Sequence, residues 1–226
     1  SGACSSSSGL IALTASPTSP SSARARPDVV TRLPRGRHGL SREEVAEAQR
    51  IRILVALAET MADKGYVATT VADVLKRAGV SRETFYQLFS SKQDAFMAAF
   101  DGAGDLALDA LTEEVDPDGG AVDPIDRFAR GLRTYLANLV AQPAFARMFL
   151  VEVYAAGPEA IARRAAFQQR VVDTMVAELG EANRFACELI VAATAALVTP
   201  LLVAGDLEAI PALEQDLVEA LRRLIT

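Results

Sequence analysis

Apolar residues recur at helical spacing along the chain from residue 41 onward. The first such segment begins with a capping box, Ser41 and Glu44, and stops at Gly65, a residue type common at helix C-termini. The apolar positions between them are spaced three or four residues apart, as on one buried helix face: Val45, Ala48, Ile51, Leu54, Ala58 and Met61. No segment alternates between apolar and polar residues for long enough to predict a β-strand. The pattern predicts an all-α fold.

Further caps and breaks divide the rest of the chain into helices. Thr70 and Ser81 are the expected N-caps of two short helices. Ser91, with Asp94 three residues later, predicts the start of a longer helix that ends near residue 115. Beyond an acidic, glycine-containing break at 116–120, the spacing predicts five more helices, at roughly 124–141, 143–155, 158–179, 181–204 and 208–225.

The segment around Gly79 has the pattern of a DNA-binding motif. Two short helices joined by a tight turn that contains glycine are typical of a helix-turn-helix, and Gly79 can adopt the positive φ that such a turn needs. The second helix alternates apolar residues with polar ones that can contact phosphates and base edges in a major groove. These polar residues are Arg82, Glu83, Thr84, Tyr86 and Gln87.

At these residues the sequence resembles the N-terminal DNA-binding region of the tetracycline-repressor (TetR/AcrR) family of transcriptional regulators. The resemblance is carried by Gly65-Tyr66, Thr69 to Val74, Ala78 to Ser81, Thr84 to Phe89 and Ser91-Lys92. Departures are small: Gln87 and Leu88 replace a commonly seen His-rich pair, and Ser90 replaces a frequent Lys or Arg. The rest of the chain carries no motif, as is usual for that family's variable ligand-binding domain.

The resemblance implies a three-helix helix-turn-helix domain at 41–92 and a larger helical domain for ligand binding and dimerisation at 93–226. It implies a homodimeric repressor that binds double-stranded operator DNA and is released from a palindromic operator by a small-molecule effector, which we expect to be mostly apolar. We expect Arg82 to contact guanine and Tyr86 and Lys92 to contact phosphate. The full set of expected DNA-binding residues is Thr70, Ser81, Arg82, Glu83, Thr84, Tyr86, Gln87 and Lys92.

The C-terminal half supplies weaker hypotheses. Isolated polar residues within apolar stretches are candidates for a ligand pocket, although each one alone is more simply explained as a core or surface side chain. These candidates are Tyr135, Asn138, Arg147, Tyr154, Gln168, Thr174, Cys187 and Thr194. A helix seam at Leu213, Leu217, Leu221 and Leu224 is the candidate dimer interface. The adjoining segment 189–204 is apolar on nearly all sides, so it needs cover on two faces.

Charge is distributed unevenly between the two ends of the chain. The first hundred residues hold 13 Lys/Arg against 9 Asp/Glu, whereas the remainder holds 10 against 20. A basic front on an acidic body indicates that one end meets a polyanion. Residues 1–40 are rich in Ser, Pro and Arg, which predicts a flexible basic arm. Whether this arm lies along DNA or is a solvated tail stays open.

Composition excludes several classes of function. Two cysteines and one histidine are too few for a disulfide framework or a Cys/His zinc site, and we expect no metal, no cofactor and a cytoplasmic location. The apolar run 189–205 is shorter than the ~18 residues of a membrane span. The glycines at 102 and 104 fit a dinucleotide fingerprint but follow no strand, and no catalytic motif is present, so an enzyme is not expected. The remaining alternative is a helical carrier of small molecules that binds no operator.

Overall fold

A computed structural model describes residues 41–112 and 123–225, and every regular element in these two ranges is helical. The predicted all-α fold is therefore confirmed. The helices are α1 (Arg42–Ala68), α2 (Val71–Ala78), α3 (Arg82–Leu88), α4 (Lys92–Thr112), α5 (Pro124–Ala141), α6 (Pro143–Leu150), α7 (Pro158–Leu179), α8 (Arg184–Ala204) and α9 (Leu213–Leu224). The predicted arm at 1–40 and the break at 116–120 lie outside the described residues.

Three predicted helix ends turn out to be short 3₁₀ turns. Glu152–Tyr154 follows α6, Glu181–Asn183 precedes α8, and Leu207–Ala209 lies in the segment before α9. The last helix was predicted from residue 208 but begins at Leu213. Periodicity misses this difference because a 3₁₀ turn keeps a repeat close to that of an α-helix while tightening its hydrogen bonds.

Gly65 interrupts α1 as its position in the sequence predicts. Its φ of 80° and ψ of 164° are not helical, although a final turn through Tyr66 follows it. The Thr69 hydroxyl donates a hydrogen bond of 2.8 Å to the Gly65 carbonyl. This break turns the backbone of Tyr66 away from the axis of α1.

The helices pack around one main core that runs through both halves of the chain. α1 packs against α2, α4 and α6, and α4 also packs against α5 and α7. A smaller apolar cluster lies between α7 and α8 and includes the buried Cys187. α4 packs against α1 in the first part of the chain and against α5 and α7 in the second. The predicted boundary at 92/93 therefore falls at the start of a helix that both parts share.

The predicted dimer seam on α9 is mostly covered by its own chain. Leu217 and Leu221 are buried within their own chain, Leu213 packs partly against the main core, and Leu224 is exposed. α9 places this apolar stripe on α5 and α8 of its own chain. Most of this apolar face is therefore packed within the described chain and only its end at Leu224 is exposed, so a dimer contact through this seam stays a prediction.

The burial of α9 generates a stability prediction. Leu221 is fully buried whereas Leu224, three residues later, is 46% exposed. Leu221→Ala is expected to lower the free energy of unfolding by about 2–5 kcal/mol because it leaves a cavity. Leu224→Ala is the control and should change it by about 0.5 kcal/mol or less. Urea unfolding followed by circular dichroism measures both, and equal losses in the two variants would contradict the packing described above.

Candidate nucleic-acid interface and buried cavity

The predicted helix-turn-helix is present between α2 and α3. Gly79 adopts the left-handed conformation, with φ of 64° and ψ of 37°, and its N–H donates to the Leu75 carbonyl at 3.0 Å. Ser81 then caps α3 by accepting a 3.0 Å hydrogen bond from the Thr84 amide. A side chain at residue 79 would meet no other atom, so the positive φ alone accounts for glycine there.

One face of α3 is exposed and the other anchors it. Phe85 is fully buried, and the Tyr86 ring packs edge-on against it with centroids 5.3 Å apart while remaining half exposed. Arg82 is exposed and has no ion pair among the described residues. The remaining exposed polar side chains are Glu83 and Gln87, which approach each other within 3.5 Å.

Thr70 caps α2 through a complete capping box. Its amide and its hydroxyl both donate to Asp73 Oδ2, at 2.9 and 2.6 Å, and its hydroxyl oxygen accepts from the Asp73 amide at 3.2 Å. These hydrogen bonds, together with Lys64 at 2.9 Å, hold the pKa of Asp73 well below its ordinary value. Both donors of Thr70, one of the expected DNA-binding residues, are thus occupied by a carboxylate.

Lys92 joins the start of α4 to the end of α1. Its ammonium donates to the carbonyls of Tyr66 and Thr69, at 2.7 and 2.9 Å, and lies 4.0 Å from the Tyr66 ring centroid. Partial burial lowers the pKa of Lys92. Two of its three N–H donors are used within the protein, so its predicted role as a phosphate contact is secondary to this internal one.

The amide of Tyr66 is held by a carboxylate from the other half of the chain. Glu152 Oε2 accepts from it at 2.8 Å, and the Arg147 Nε lies 3.4 Å from Glu152 Oε1. Glu152 is only 7% exposed. The backbone of Tyr66 is therefore fixed on both sides, by Glu152 at its N–H and by Lys92 at its carbonyl.

A column of aromatic rings runs from this junction into the C-terminal half. Tyr66 packs edge-on against Phe96, Phe96 stacks on Phe100, and Phe100 stacks on Phe149 with centroids 4.3 Å apart and planes 8° from parallel. Phe149 in turn meets Phe167 edge-on at 4.9 Å. Phe149 and Phe167 also form part of the wall of a buried cavity.

This cavity lies among α4 to α8 and has a free volume of about 60 Å³. Apolar side chains make most of its wall. The residues that line it are Ala107, Phe128, Leu132, Tyr135, Phe149, Leu150, Arg164, Phe167, Gln168, Val171, Met175, Ile190, Val191, Thr194 and Ala195. Burial raises the pKa of Tyr135 to about 12 against the opposing effect of Arg164, so its hydroxyl is protonated at neutral pH.

Three of the eight ligand candidates from the sequence line the cavity: Tyr135, Gln168 and Thr194. The other five do not line this cavity, because their side chains lie elsewhere. Asn138 and Tyr154 are exposed, Arg147 faces Glu152, the Thr174 hydroxyl donates to the Arg170 carbonyl, and Cys187 packs in the smaller apolar cluster.

Sequence reasoning missed Arg164, the cation in the wall of the cavity. It is 7% exposed, and its guanidinium carbon lies 5.4 Å from the Tyr154 ring centroid. In the sequence Arg164 stands next to Arg163, and such a pair suggests a basic surface exposed to solvent. The available signal was its position on the apolar stripe of α7, three residues before Phe167 and seven before Val171.

The outer face of α8 is apolar and exposed. Phe185 is 70% exposed, and Leu189, Leu197 and Val203 are also exposed. With Ala192, Ala196 and Pro200 they form one stripe along the helix, spaced three or four residues apart except for the adjacent Ala196 and Leu197. By length and composition alone, Glu181–Ala204 could cross a membrane, with 33% of the window buried in the protein.

Comparisons with known proteins agree with this geometry. Residues 53–99 match the family described as bacterial regulatory proteins, tetR family. The HTH-type transcriptional regulator EthR of Mycolicibacterium smegmatis is 29% identical over 120 residues, 52% of either chain. The HTH-type transcriptional activator FasR of the same organism is 38% identical over 52 residues, 23% of this chain and 24% of FasR. The chain thus spans about half or less of the length of these curated relatives.

The fold is also similar to that of solved regulators. The transcriptional regulator FadR from Bacillus subtilis, solved in complex with stearoyl-CoA, superposes with a TM-score of 0.64 over 76% of this chain and 96% of that one. The two sequences are 20% identical, so this similarity concerns the fold.

The contacts of Lys92 generate a second prediction. Lys92→Met removes two charge-assisted hydrogen bonds and a cation–π contact, and is expected to lower the free energy of unfolding by about 2–3 kcal/mol. Lys76→Met, an exposed lysine on α2, is the control and should change it by about 0.5 kcal/mol or less. Chemical denaturation measures both. Equal stability of the two variants would show that the Lys92 ammonium does not hold α1 to α4.

Proposed function

Because this chain belongs to the tetR family of bacterial regulatory proteins through its N-terminal domain, we propose that it is a ligand-responsive transcriptional repressor. It acts as a homodimer on a palindromic operator and leaves the DNA when a small, mostly apolar effector binds. The observation that carries the proposal is the exposed polar face of α3, anchored by buried Phe85 and presented by the turn at Gly79.

Each polar side chain on this face makes a different contact with DNA. Arg82 donates to guanine O6 and N7, Gln87 reads adenine, and Glu83 accepts from cytosine N4. Tyr86 donates its hydroxyl to a phosphate while its ring stays packed on Phe85. Ser81 and Thr84 form the first turn of α3 and place this face at the groove, and Lys92 contributes the one donor that its two internal hydrogen bonds leave.

Dimerisation follows from the apolar stripe on α8. The inner face of this helix packs on α6, α7 and α9, so the stripe from Phe185 to Val203 is a second face that the described part of the chain leaves exposed. Ala192 and Ala196 lie on it and permit close approach of a helix from a second copy. Because the stripe lies on one face only and the helix is packed on the other, a protein partner fits it better than surrounding lipid does.

Effector response follows from the position of the cavity. A free volume of about 60 Å³ is small beside the ~300 Å³ or more of ordinary ligand sites, so an effector must displace side chains in the wall. Phe149 belongs to that wall and stacks on Phe100 of α4. Displacement of Phe149 therefore shifts α4, whose first residue holds the end of α1, and changes the spacing of the two recognition helices in the dimer.

The test of DNA recognition uses fluorescence anisotropy with the DNA upstream of the gene and a scrambled duplex. Arg82→Ala is expected to cost about 1–3 kcal/mol on the specific site and to relax preference at one base pair, whereas Tyr86→Phe should weaken binding to both duplexes. The control is Arg223→Ala, which removes the same charge far from α3 and should leave affinity unchanged. Deletion of the gene should raise expression of a reporter driven by that promoter.

Failure of that test has a defined meaning. A protein that shows no preference for its upstream DNA at any salt concentration, yet binds small molecules in the cavity, would be the helical carrier rather than a regulator. If Arg223→Ala weakens binding to the upstream DNA as much as Arg82→Ala does, α3 is not the surface that contacts the DNA.

The dimer proposal has its own test. Leu197→Glu places a carboxylate on the α8 stripe of each copy, at a cost of several kcal/mol if that surface is buried. We expect wild-type protein to sediment as a dimer and Leu197→Glu as a helical monomer with weakened operator binding. Ile161→Glu, an exposed apolar position on α7, is the control and should remain dimeric. A wild-type monomer that associates with lipid vesicles through this stripe would refute the proposal.

A further inference from the structure

We infer that the cavity binds an amphipathic monocarboxylate, with an apolar body among the aromatic side chains and its carboxylate on the Arg164 guanidinium. The regulatory consequence of this binding rests on the proposed function, whereas the binding itself does not. Arg164 carries a buried positive charge that no acidic side chain among the described residues neutralises.

Arg164 is a buried cation without an anionic partner. Its Nε has no hydrogen bond, and no acidic side chain among the described residues pairs with its guanidinium. Its one described polar contact is the face of the Tyr154 ring. Other arginines of the same helix are paired at the surface, Arg163 with Asp101 and Arg170 with Asp105. A guanidinium desolvated in this way is unfavourable unless something else neutralises it.

The neighbours of Arg164 in the cavity wall suit a carboxylate. Gln168 lies one turn further along α7, and neither its amide nor the Tyr135 hydroxyl has a hydrogen-bond partner among the described residues. Both groups can donate to an anion. The Thr194 hydroxyl donates to the Ile190 carbonyl at 2.8 Å, so it is an acceptor only. Arg164 is the one cation among the lining residues, and it matches a single negative charge rather than the nearly doubled charge of a phosphate monoester.

The remaining side chains of the cavity wall determine which kind of ligand body fits. Phe128, Phe149 and Phe167 with Leu132 and Met175 offer apolar surface and no further donors. Met175 is unbranched and adapts its shape readily, so the small cavity can widen along it. A flexible alkyl chain fits this wall better than a rigid polar ring does. The charged end lies toward Tyr154, whose ring is 58% exposed, so Arg164 stands between the apolar cavity and solvent.

The experiment measures binding of octanoate, octan-1-ol, methyl octanoate and octanoyl-CoA to the full chain by isothermal titration calorimetry. Wild-type protein is expected to bind octanoate about ten- to hundredfold more tightly than the uncharged pair, as a charge-assisted hydrogen bond to a buried guanidinium would give. Arg164→Met should abolish this preference while retaining binding of octan-1-ol, and Arg164→Lys should retain part of it. Arg170→Met, on the outer face of the same helix, is the control and should behave as wild type.

Stability separates a ligand-binding role of Arg164 from a structural one. If Arg164 is kept for a ligand, Arg164→Met relieves an uncompensated buried charge, and the free protein should be at least as stable as wild type. Lower stability of Arg164→Met together with unchanged octanoate affinity would overturn the inference. Equal wild-type affinity for octanoate and octan-1-ol, or tighter binding of octanoyl-CoA than of octanoate, would overturn it as well.

The regulatory consequence is read separately from the binding. Octanoate is expected to release wild-type protein from its upstream DNA, and Arg164→Met is expected to stay bound at the same concentration. Octanoate binding without any DNA binding would support the ligand class and refute the proposed regulator. DNA binding in a protein that shows no charge preference in the calorimeter would refute the ligand class and leave the regulator standing.

Discussion

A carboxylate buried in a protein needs hydrogen-bond donors or a positive charge beside it. The groups that supply these to Glu152 come from both halves of the chain. Its oxygens are satisfied by the Tyr66 amide and approached by Arg147. The Tyr66 amide is free for this purpose because Gly65 leaves the helical conformation at that point. A side chain at residue 65 would require an unfavourable φ and would lie against the Glu152 carboxylate. The domain junction thus depends on one glycine and one carboxylate.

The same junction places the cavity in mechanical contact with the helix-turn-helix. Lys92 binds the carbonyl of Tyr66, whose amide is bound by Glu152, and the Tyr66 ring begins the aromatic column that ends at Phe149 and Phe167 in the cavity wall. Because protein interiors are close-packed, displacement of one ring in this column must be accommodated by its neighbours. The column thus provides a continuous set of contacts between the cavity wall and the start of α4.

Two apolar helices near the C-terminus differ in how much of their apolar surface the described chain covers. α9 has one apolar stripe, and its own chain covers it. α8 is apolar nearly all round, so its inner face enters the core while its outer stripe from Phe185 to Val203 remains uncovered. The uncovered apolar surface is consequently on α8, the helix whose sequence predicted that it needs cover on two faces. Arg164 shows the converse case, because a residue beside exposed Arg163 faces the inside of the cavity.

Local signals in the sequence determined the elements and the exposed polar face of α3. The caps at Ser41, Thr70 and Ser81, the left-handed Gly79 and the polar positions of α3 all act within a few residues of themselves, so they can be recognised without the fold. Other features are decided by segments far apart in the sequence, such as Tyr66 and Glu152, which are 86 residues apart. They are the covered face of α9, the partners of Lys92 and Glu152, and the set of polar side chains that share the cavity. Helical periodicity states that a face is apolar but not what lies against it, so only the tertiary structure decided these contacts.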